Sequence, residues 1–517
     1  MGFKPWKKTS SATSLTQENI QAQIFEQGKL TSKLQANLSS IQNAFAYPEN
    51  LSFKKREFQI HSLGLPAAIL YIEGAAKAES IQEFVMKPLL ECDTDAGGEE
   101  PLEFLRQKVL TAISLQQVSD FQSIADEILN GNTALVLDGI PQALIIDTRG
   151  FEYRSIEKPS LEQSLWGPKE SFIESAEVNR SLIRKYLKDQ NLQCEVVTFG
   201  SNKQEVYIMY LKDVANDQIV NRVKKRVEQI NSQLVQNIYI LEQHLEERPY
   251  SPLPTLFMTE RPDRVVNFLQ EGHVTIIMDN SPAVLVAPAT FWLFFHAAED
   301  MYNRWMLGNF TRIIRIIAIF VAMFIPAVYI AISTYHVEML PTDLMLAISA
   351  ARERVPFPVI AEILFMEISF ELLRESGIRV PAAIGSTIGI VGALVLGQAS
   401  VEANLVSPIL VIIVAVTGLA SFIIPDVSLN FFVRLQRFIF ILFAAFLGFF
   451  GFALYLTLLI SYLTTVKSFG VPYLSPMAPN INSSYDMFLR SVAWKQWLRP
   501  GNIAPKDDTR QDKPERN

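Results

Sequence analysis

The sequence predicts an α/β soluble N-terminal region of two subdomains, followed by an α-helical membrane domain with several spans. Of 517 residues, 49% are hydrophobic and the mean hydropathy is +0.18, which is high for a soluble protein of this length. The apolar excess lies after Asp300, whereas the first half alternates short strand-like and helix-like patterns. A net charge of −7 argues against nucleic-acid binding, because such binding needs a basic face.

Composition and periodicity divide the chain into six segments. Residues 1–45 are polar and rich in Ser, Thr and Gln, and they lack the pattern of a cleaved signal peptide, so we predict a disordered segment. The other predicted segments are soluble subdomain 1 (46–160), soluble subdomain 2 (161–285), an interfacial segment (286–312), a transmembrane helical domain (313–466) and a C-terminal tail (467–517).

Both soluble segments show the period of 2 that is typical of strands and the period of 3.6 that is typical of helices. In subdomain 1, strand-like runs such as Thr133–Leu137 alternate with helical patterns such as Ser80–Leu90. In subdomain 2, the run Glu205–Leu211 precedes a helical pattern over Asn216–Ile230. Each segment is therefore predicted to be a separate α/β unit.

An aromatic cluster precedes the first long apolar run. Because amphipathic rings favour the headgroup level of a bilayer, the cluster predicts a segment on the membrane surface. Its members are Phe291, Trp292, Phe294, Phe295, Tyr302 and Trp305.

Four apolar runs are near or above the length that spans a bilayer. They are Ile313–Tyr335, Pro381–Ser400, Leu405–Ile424 and Phe438–Thr464. Arginines before and at the start of the first run, Arg312 and Arg315 among them, favour a cytoplasmic N-terminal region. Phe357–Leu373 is a fifth candidate crossing. Five crossings place the tail outside, whereas its own basic residues favour the cytoplasm, so the side of the tail stays open.

A long motif lies inside the membrane segment, the run PFPVIAEILFMEISFELLRESGIRVP from Pro356 to Pro381. This motif resembles the signature of the A subunits of GerA-type bacterial spore germinant receptors. Shorter stretches carry the same resemblance: Thr259–Arg264, Ser281–Pro288, Glu299–Arg304, Gly397–Glu402 and Gly470–Pro476. The sequence departs from the family at Leu165–Pro168, where an arginine usually precedes the Gly-Pro pair.

The resemblance implies a subunit of a nutrient-germinant receptor in the inner membrane of the dormant spore. It implies a transporter-like B subunit and a lipoprotein C subunit as partners, with the nutrient bound by the B subunit. It also implies a homo-oligomer, for which we expect a pentamer, that opens a pore for monovalent cations. No cofactor and no nucleic acid is implied.

The run after Pro381 has two different faces. Small residues at every fourth position form one face, which lets helices approach closely: Gly385, Gly389, Ala393 and Gly397. The opposite face has polar groups on either side of an apolar girdle, as expected for a pore that closes by dewetting: Thr387, Val391, Val395, Gln398 and Glu402. Packing within one subunit, with Glu402 merely solvated, is the alternative.

Charged residues in the signature motif have two interpretations. Carboxylates at membrane depth normally face water or a protein interior, so they are candidates for ion passage or gating. Their spacing also suits structural pairs along one helix, Glu371 with Arg374 and Glu375 with Arg379. The candidate residues are Glu362, Glu367, Glu371, Arg374 and Arg379.

Catalytic motifs are missing from the sequence. The five histidines are scattered without metal-ligand spacing, and no nucleophile-elbow or P-loop pattern occurs. We therefore expect a non-enzymatic protein without a bound metal. A channel subunit, a non-conducting adaptor and a secondary transporter remain, and the absence of paired repeats among the spans disfavours the transporter.

Overall fold

A five-stranded antiparallel sheet forms the centre of the first subdomain in the computed structural model of the chain. The structure describes residues 28–92, 100–112, 114–149, 159, 162, 164, 166–200, 203–379, 392, 396–481 and 488–512. The strands are β1 (Phe53–Gln59), β2 (Pro66–Ile72), β3 (Leu115–Val118), β4 (Thr133–Leu137) and β5 (Ala143–Ile146), in the order β1-β2-β4-β5-β3. The helices are α1 (Leu34–Ala44), α2 (Ala78–Ile81), α3 (Lys87–Glu91), α4 (Pro101–Phe104) and α5 (Phe121–Leu129), with π-helical turns at Gln82–Met86 and Leu105–Val109. One hydrophobic core lies on each face of the sheet.

A second five-stranded antiparallel sheet follows. Its strands are β6 (Leu192–Phe199), β7 (Gln204–Leu211), β8 (Phe257–Thr259), β9 (Val274–Met278) and β10 (Val284–Ala287). Its helices are α6 (Ala176–Tyr186), α7 (Asp217–Glu228), α8 (Ile238–Leu245) and α9 (Pro262–Glu271). The strand order is β6-β7-β9-β10-β8, so the two sheets have the same topology.

The two subdomains are a tandem structural repeat, because the order of helices and strands also matches. In each unit, an aspartate at the same position accepts a hydrogen bond from the first residue of the first helix. Asp138 follows β4 and its Oδ1 accepts a hydrogen bond from the backbone N–H of Leu34 at 2.9 Å. Asp279 follows β9 and accepts in the same way from Ala176 at 2.7 Å. Each carboxylate satisfies a backbone donor that the start of a helix leaves unpaired.

A second matched pair fixes the chain that enters each first helix. The Asn37 side chain accepts from the Thr31 N–H and donates to the Thr31 carbonyl oxygen. Asn179 makes the same two bonds with Ile173. Both asparagines are fully buried, so satisfying both ends of the amide removes the cost of burying it.

The prediction of disorder over residues 1–45 is wrong for its last part. Helix α1 lies within that range and buries Leu34, Leu38 and Ile41 against the first sheet. Their spacing of three and four residues is that of one helix face, which the surrounding Ser and Gln residues obscured. Residues 1–27 lie outside the described part of the chain.

The C-terminal part is helical. Its helices are α10 (Trp305–Thr334), α11 (Thr342–Arg352), α12 (Val359–Arg379), α13 (Pro408–Phe422) and α14 (Val427–Thr465). Among the described residues, α10 and α14 are long and apolar enough to cross a membrane. The predicted fold class is therefore confirmed as an α/β region followed by an apolar helical unit.

Helix α14 is a hairpin of two antiparallel arms. Gly448 has φ 59° and ψ −140°, which breaks the helix and is a conformation that glycine tolerates. A straight helix would separate Gln436 from Tyr455 by about 28 Å, yet the Tyr455 hydroxyl donates to the Gln436 side chain. The rings of Phe440 and Phe452 lie 5.2 Å apart. The single crossing predicted at Phe438–Thr464 is therefore wrong, because the chain reverses inside that run.

Three of the aromatic residues predicted for the membrane surface lie inside the protein instead. Trp292, Phe294 and Phe295 are buried. The ring centres of Phe294 and Phe257, the latter in the second sheet, lie 5.5 Å apart. The Trp292 indole N–H donates to the Leu474 carbonyl oxygen at 3.0 Å. These rings join the second subdomain to the helical unit and to the chain after α14. Trp305, in contrast, is half exposed.

The C-terminal tail lies against the second subdomain. After α14, strands β11 (Lys467–Ser468) and β12 (Val471–Pro472) form a small hairpin. The Tyr473 hydroxyl then donates to the Pro254 carbonyl oxygen at 2.7 Å, and Arg499 Nε donates to that of Gln270 at 2.7 Å. The tail and the soluble subdomains therefore lie on the same side of the helical unit.

Glu242 on α8 gives a testable pH dependence. Burial, and after it the nearby carboxylates of Glu246 and Asp426, raises the pKa of Glu242 to about 8. A raised carboxyl pKa favours the folded state at low pH, and this stabilisation is lost as the pH rises through 8. We expect the unfolding temperature of Glu242→Gln to exceed that of the wild type at pH 9. Exposed Glu228→Gln is the control, and equal pH profiles for wild type and Glu242→Gln would contradict the assignment.

Candidate functional site

A network of buried ion pairs joins α12 to the first arm of α14. Arg437 Nη1 lies 2.9 Å from Glu367 Oε2, and both side chains are fully buried. Arg437 Nη2 also donates to Glu371 Oε1 at 2.9 Å. Arg434 Nε donates to the same Glu371 oxygen at 3.0 Å. Two carboxylates and two guanidinium groups thus form one connected cluster inside the helical unit.

Helix geometry explains how these four residues meet. Glu367 and Glu371 are four residues apart on α12, and Arg434 and Arg437 are three apart on α14, so each pair occupies one helix face. Glu367 faces Arg437 while Glu371 reaches back to Arg434, which shows that the two helices are antiparallel. A charge buried in an apolar unit is strongly unfavourable unless it is paired. The ion pairs therefore fix the position of α12 relative to α14.

Arg374 departs from the predicted pairing with Glu371 along the same helix. It donates to the Ser421 hydroxyl on α13, and its guanidinium carbon lies 4.4 Å from the centre of the Phe422 ring. The predicted pair is wrong because Glu371 is already bound by two arginines from α14. The side chain of Arg379, and hence its predicted pairing with Glu375, lies outside the described part of the chain.

Glu362 forms a separate contact near the start of α12. Its Oε2 accepts the backbone N–H of Ser407 at 3.0 Å, immediately before α13. Its Oε1 lies 3.4 Å from Arg352 Nε of α11. Three of the four glutamates of the signature motif therefore contact other helices, namely Glu362, Glu367 and Glu371. Glu362 and Glu367 are fully buried.

The predicted pore helix is described only in part. Gln398 and Glu402 are exposed, and Gln398 Nε2 donates to Glu402 Oε1 at 2.9 Å. A Cβ added to Gly397 would lie 3.6 Å from Val411, so this small residue does adjoin α13. The other candidates lie outside the described residues: Thr387, Val391, Val395, Gly385, Gly389 and Ala393.

A second buried cluster, which the sequence analysis missed, lies at the start of α10. Asp300 accepts from Arg315 Nη1 at 2.9 Å and Nη2 at 3.2 Å, and from Arg312 Nε at 3.2 Å. Arg490 of the tail donates to the Asp300 carbonyl oxygen. In the sequence, the two arginines indicate a charge bias near the first span, but their spacing of three residues also indicates one helix face with a common partner.

These two clusters connect separate elements of the structure through charged side chains. In the described part of the chain, no three His, Cys, Asp or Glu residues come close enough to hold a metal ion. Each cluster joins different elements through groups that are costly to separate in an apolar surrounding. Such a cluster can keep one arrangement of helices stable, or exchange partners when another arrangement is favoured.

The architecture defines a class of protein: a duplicated α/β region attached to an apolar helical unit with internal ion pairs. Residues 39–502 match the family described as Bacillus/Clostridium GerA spore germination protein. The chain belongs to this family.

Relatives in Bacillus subtilis cover most of the chain. Spore germination protein KA is 39% identical over 87% of this chain and 83% of its own length. An uncharacterized membrane protein, YfkQ, is 40% identical over 85% of this chain and 86% of its own length. The predicted resemblance to germinant-receptor A subunits is thereby confirmed, and a role in spore germination follows.

A solved structure also matches. The N-terminal domain of the A subunit of the Bacillus megaterium spore germinant receptor GerK3 is 28% identical, and the match covers 51% of this chain and 97% of that domain, with a TM-score of 0.41.

Proposed function

We propose that this chain is a non-enzymatic, integral subunit of a nutrient-germinant receptor in the spore inner membrane. Its copies assemble into a ring, for which a pentamer is the working assignment, around a path for monovalent cations. A transporter-like B subunit and a lipoprotein C subunit complete the receptor. The soluble subdomains and the tail face the cytoplasm.

The observation that carries this proposal is the buried cluster of Glu367, Glu371, Arg434 and Arg437. Ionisable groups are rare inside apolar helical units and are retained mostly where ions pass or where helices change partners. The lengths of α10 and of the two arms of α14 support insertion into a bilayer, as does the relative that is named a membrane protein.

The apolar girdle gives the first test of the channel. In the proposed pore, Val395 contributes a ring that keeps the closed channel dry, because water is unstable in a narrow apolar passage. We expect Val395→Thr and Val395→Ala to release potassium from spores or expressing cells without a nutrient. Val416→Thr, which alters an exposed valine of α13, is the matched control. If the Val395→Thr protein accumulated normally and released no potassium, Val395 would not form the constriction of the channel.

Glu402 should affect a different property. A carboxylate ring at a pore mouth raises the local cation concentration, so Glu402→Gln is expected to reduce conductance while the closed state stays tight. Glu338→Gln removes an exposed charge near the same end of the helical unit and serves as the control. Equal potassium currents for Glu402→Gln and wild type, measured after nutrient addition, would remove Glu402 from the ion path.

A non-conducting adaptor is the alternative function, and the Asp300 cluster favours it. That cluster joins α10 to the tail, and the tail in turn contacts the second subdomain, so a movement of one part must displace the others. An adaptor predicts that receptor complexes reconstituted in vesicles pass no potassium on nutrient addition, whereas the channel predicts that they do.

A further inference from the structure

A basic groove lies on the second subdomain next to the chain that follows α14. We use this name for the surface lined by Arg222, Lys225 and Arg226 of α7, His244 of α8, and Phe469 of the β11–β12 turn. Among the described residues that line it, Glu247 is the single carboxylate, and it lies 3.8 Å from Arg226. The groove therefore keeps an excess of positive charge.

The spacing of the basic residues along α7 places them on the helix face that lines the groove. Arg222, Lys225 and Arg226 are three and four residues apart, which places them on one helix face. The opposite face of α7 is buried against the sheet: Ile219, Val220, Val223 and Val227. Lysine and arginine in the last turn also offset the helix dipole, which accounts for Lys225 and Arg226 but leaves Arg222, a full turn earlier, without that explanation.

Arg222 is held in place by the chain that leaves α14. Its Nη1 donates to the Phe469 carbonyl oxygen at 2.7 Å. Gly470 has φ +81°, and a Cβ at this position would overlap Arg222 Nη1, so glycine allows the guanidinium to approach the backbone. The exposed guanidinium keeps further N–H groups for a ligand in the groove.

The groove adjoins the end of a proposed membrane span. Arg248 donates to the Thr465 hydroxyl at 3.0 Å and to the Thr465 carbonyl oxygen at 3.2 Å, at the last residue of α14. Lys467 is exposed two residues later. Phe469 is four residues beyond the helix, at most about 14 Å along an extended chain, and the β hairpin shortens that distance. The cations thus extend from the span end into the groove.

We propose that the basic groove binds the phosphodiester headgroup of an anionic phospholipid from the adjacent leaflet, an inference that rests on the proposed insertion of α14 into a bilayer. Guanidinium groups bind phosphate oxygens through paired, charge-assisted hydrogen bonds. Clusters of basic residues beside a span attract anionic lipids. Phe469 of the groove follows the end of α14 by four residues, which favours a lipid over a soluble anion.

Lipid retention by the full-length chain in detergent tests the groove. Mixed micelles carry phosphatidylglycerol or phosphatidylcholine, and native mass spectrometry counts the bound lipids. We expect the wild type to retain phosphatidylglycerol at least fivefold over phosphatidylcholine, and Arg222→Gln/Lys225→Gln to lose most of that preference. Lys77→Gln/Lys87→Gln removes two exposed charges from the first subdomain and is expected to match the wild type.

Three results would overturn the proposal. One is a wild type without lipid preference, and another is a full preference in the Arg222→Gln/Lys225→Gln variant. The third is displacement of the lipid by inorganic phosphate at equal concentration, which would identify a site for a soluble anion. Unfolding temperatures measured without lipid distinguish a structural role of the two residues. In that case the unfolding temperature of the variant would fall, while its retention of phosphatidylglycerol would equal that of the wild type. Alkaline carbonate extraction tests membrane insertion separately. Release of the protein from the membrane would contradict the proposed insertion, whatever the lipid measurement shows.

Discussion

Replacement of Arg437 by methionine is expected to destabilise the helical unit by about 3 to 5 kcal/mol, the usual cost of leaving a buried charge without its partner. Glu367 would lose its ion-pair partner on α14, and Glu371 would keep Arg434 alone. Methionine preserves most of the side-chain volume, so the loss reports charge rather than a cavity. Thermal unfolding of the detergent-purified chain measures the effect, and exposed Arg354→Met is the matched control.

A double-mutant cycle separates the ion pair from general damage to the helices. Glu367→Gln combined with Arg437→Met removes both buried charges, so the double variant should be less destabilised than the sum of the single variants by roughly 1 to 3 kcal/mol. Additive losses would show that the two residues do not interact. A stability of Arg437→Met within about 0.5 kcal/mol of the wild type would show that the arginine is not buried as described.

Replacement of Asp300 by asparagine is expected to have a comparable effect at the start of α10. The amide has the size of the carboxylate but no charge, which leaves Arg315 buried without its ion-pair partner and removes one partner of Arg312, at a cost of about 3 to 5 kcal/mol. We expect the variant to unfold at lower temperature at pH 7 and to be cleaved faster by protease around residues 296–304. Asp343→Asn, an exposed carboxylate on α11, controls for the loss of charge alone.

The pH dependence of Asp300 adds an independent measurement. Burial alone would raise its pKa, but the hydrogen bonds and charge of Arg315, with help from Arg312, lower the pKa below the ordinary value. A lowered pKa means that the stabilisation is present above about pH 4 and is lost as the pH falls further. The wild type should therefore lose stability below pH 4 more steeply than Asp300→Asn, and parallel acid profiles would contradict the ion pairs.

Local patterns in the sequence predicted the local elements well. The run Thr133–Leu137 is a strand with the predicted bounds, and Glu205–Leu211 differs from strand β7 by one residue, because buried β-branched and aliphatic residues leave few alternatives. Strand β8 was missed, since its three residues are too few to show a period. The duplication was also missed, although Gly131, Asp138 and Pro141 recur in the same spacing as Gly272, Asp279 and Pro282.

Contacts between distant segments were beyond the reach of the sequence patterns. Glu371 has an arginine three residues away on its own helix, so the sequence favoured a local pair, whereas packing of α14 supplies Arg434 and Arg437. The reversal at Gly448 was hidden for a similar reason. A glycine within a long apolar run resembles any other small residue of a span. The turn is shown by contacts across it, such as those of Gln436 with Tyr455 and of Phe440 with Phe452.

The attachment of the second subdomain at two points has a mechanical consequence. Asp300 and Arg315 fix the chain that leads from this subdomain into α10, and Arg499 and Tyr473 fix the chain that returns from α14. A domain attached through one linker can rotate independently of its neighbour, whereas a domain attached at two points cannot. A rotation of the second subdomain would therefore be transmitted to the helices, without any element having to unfold.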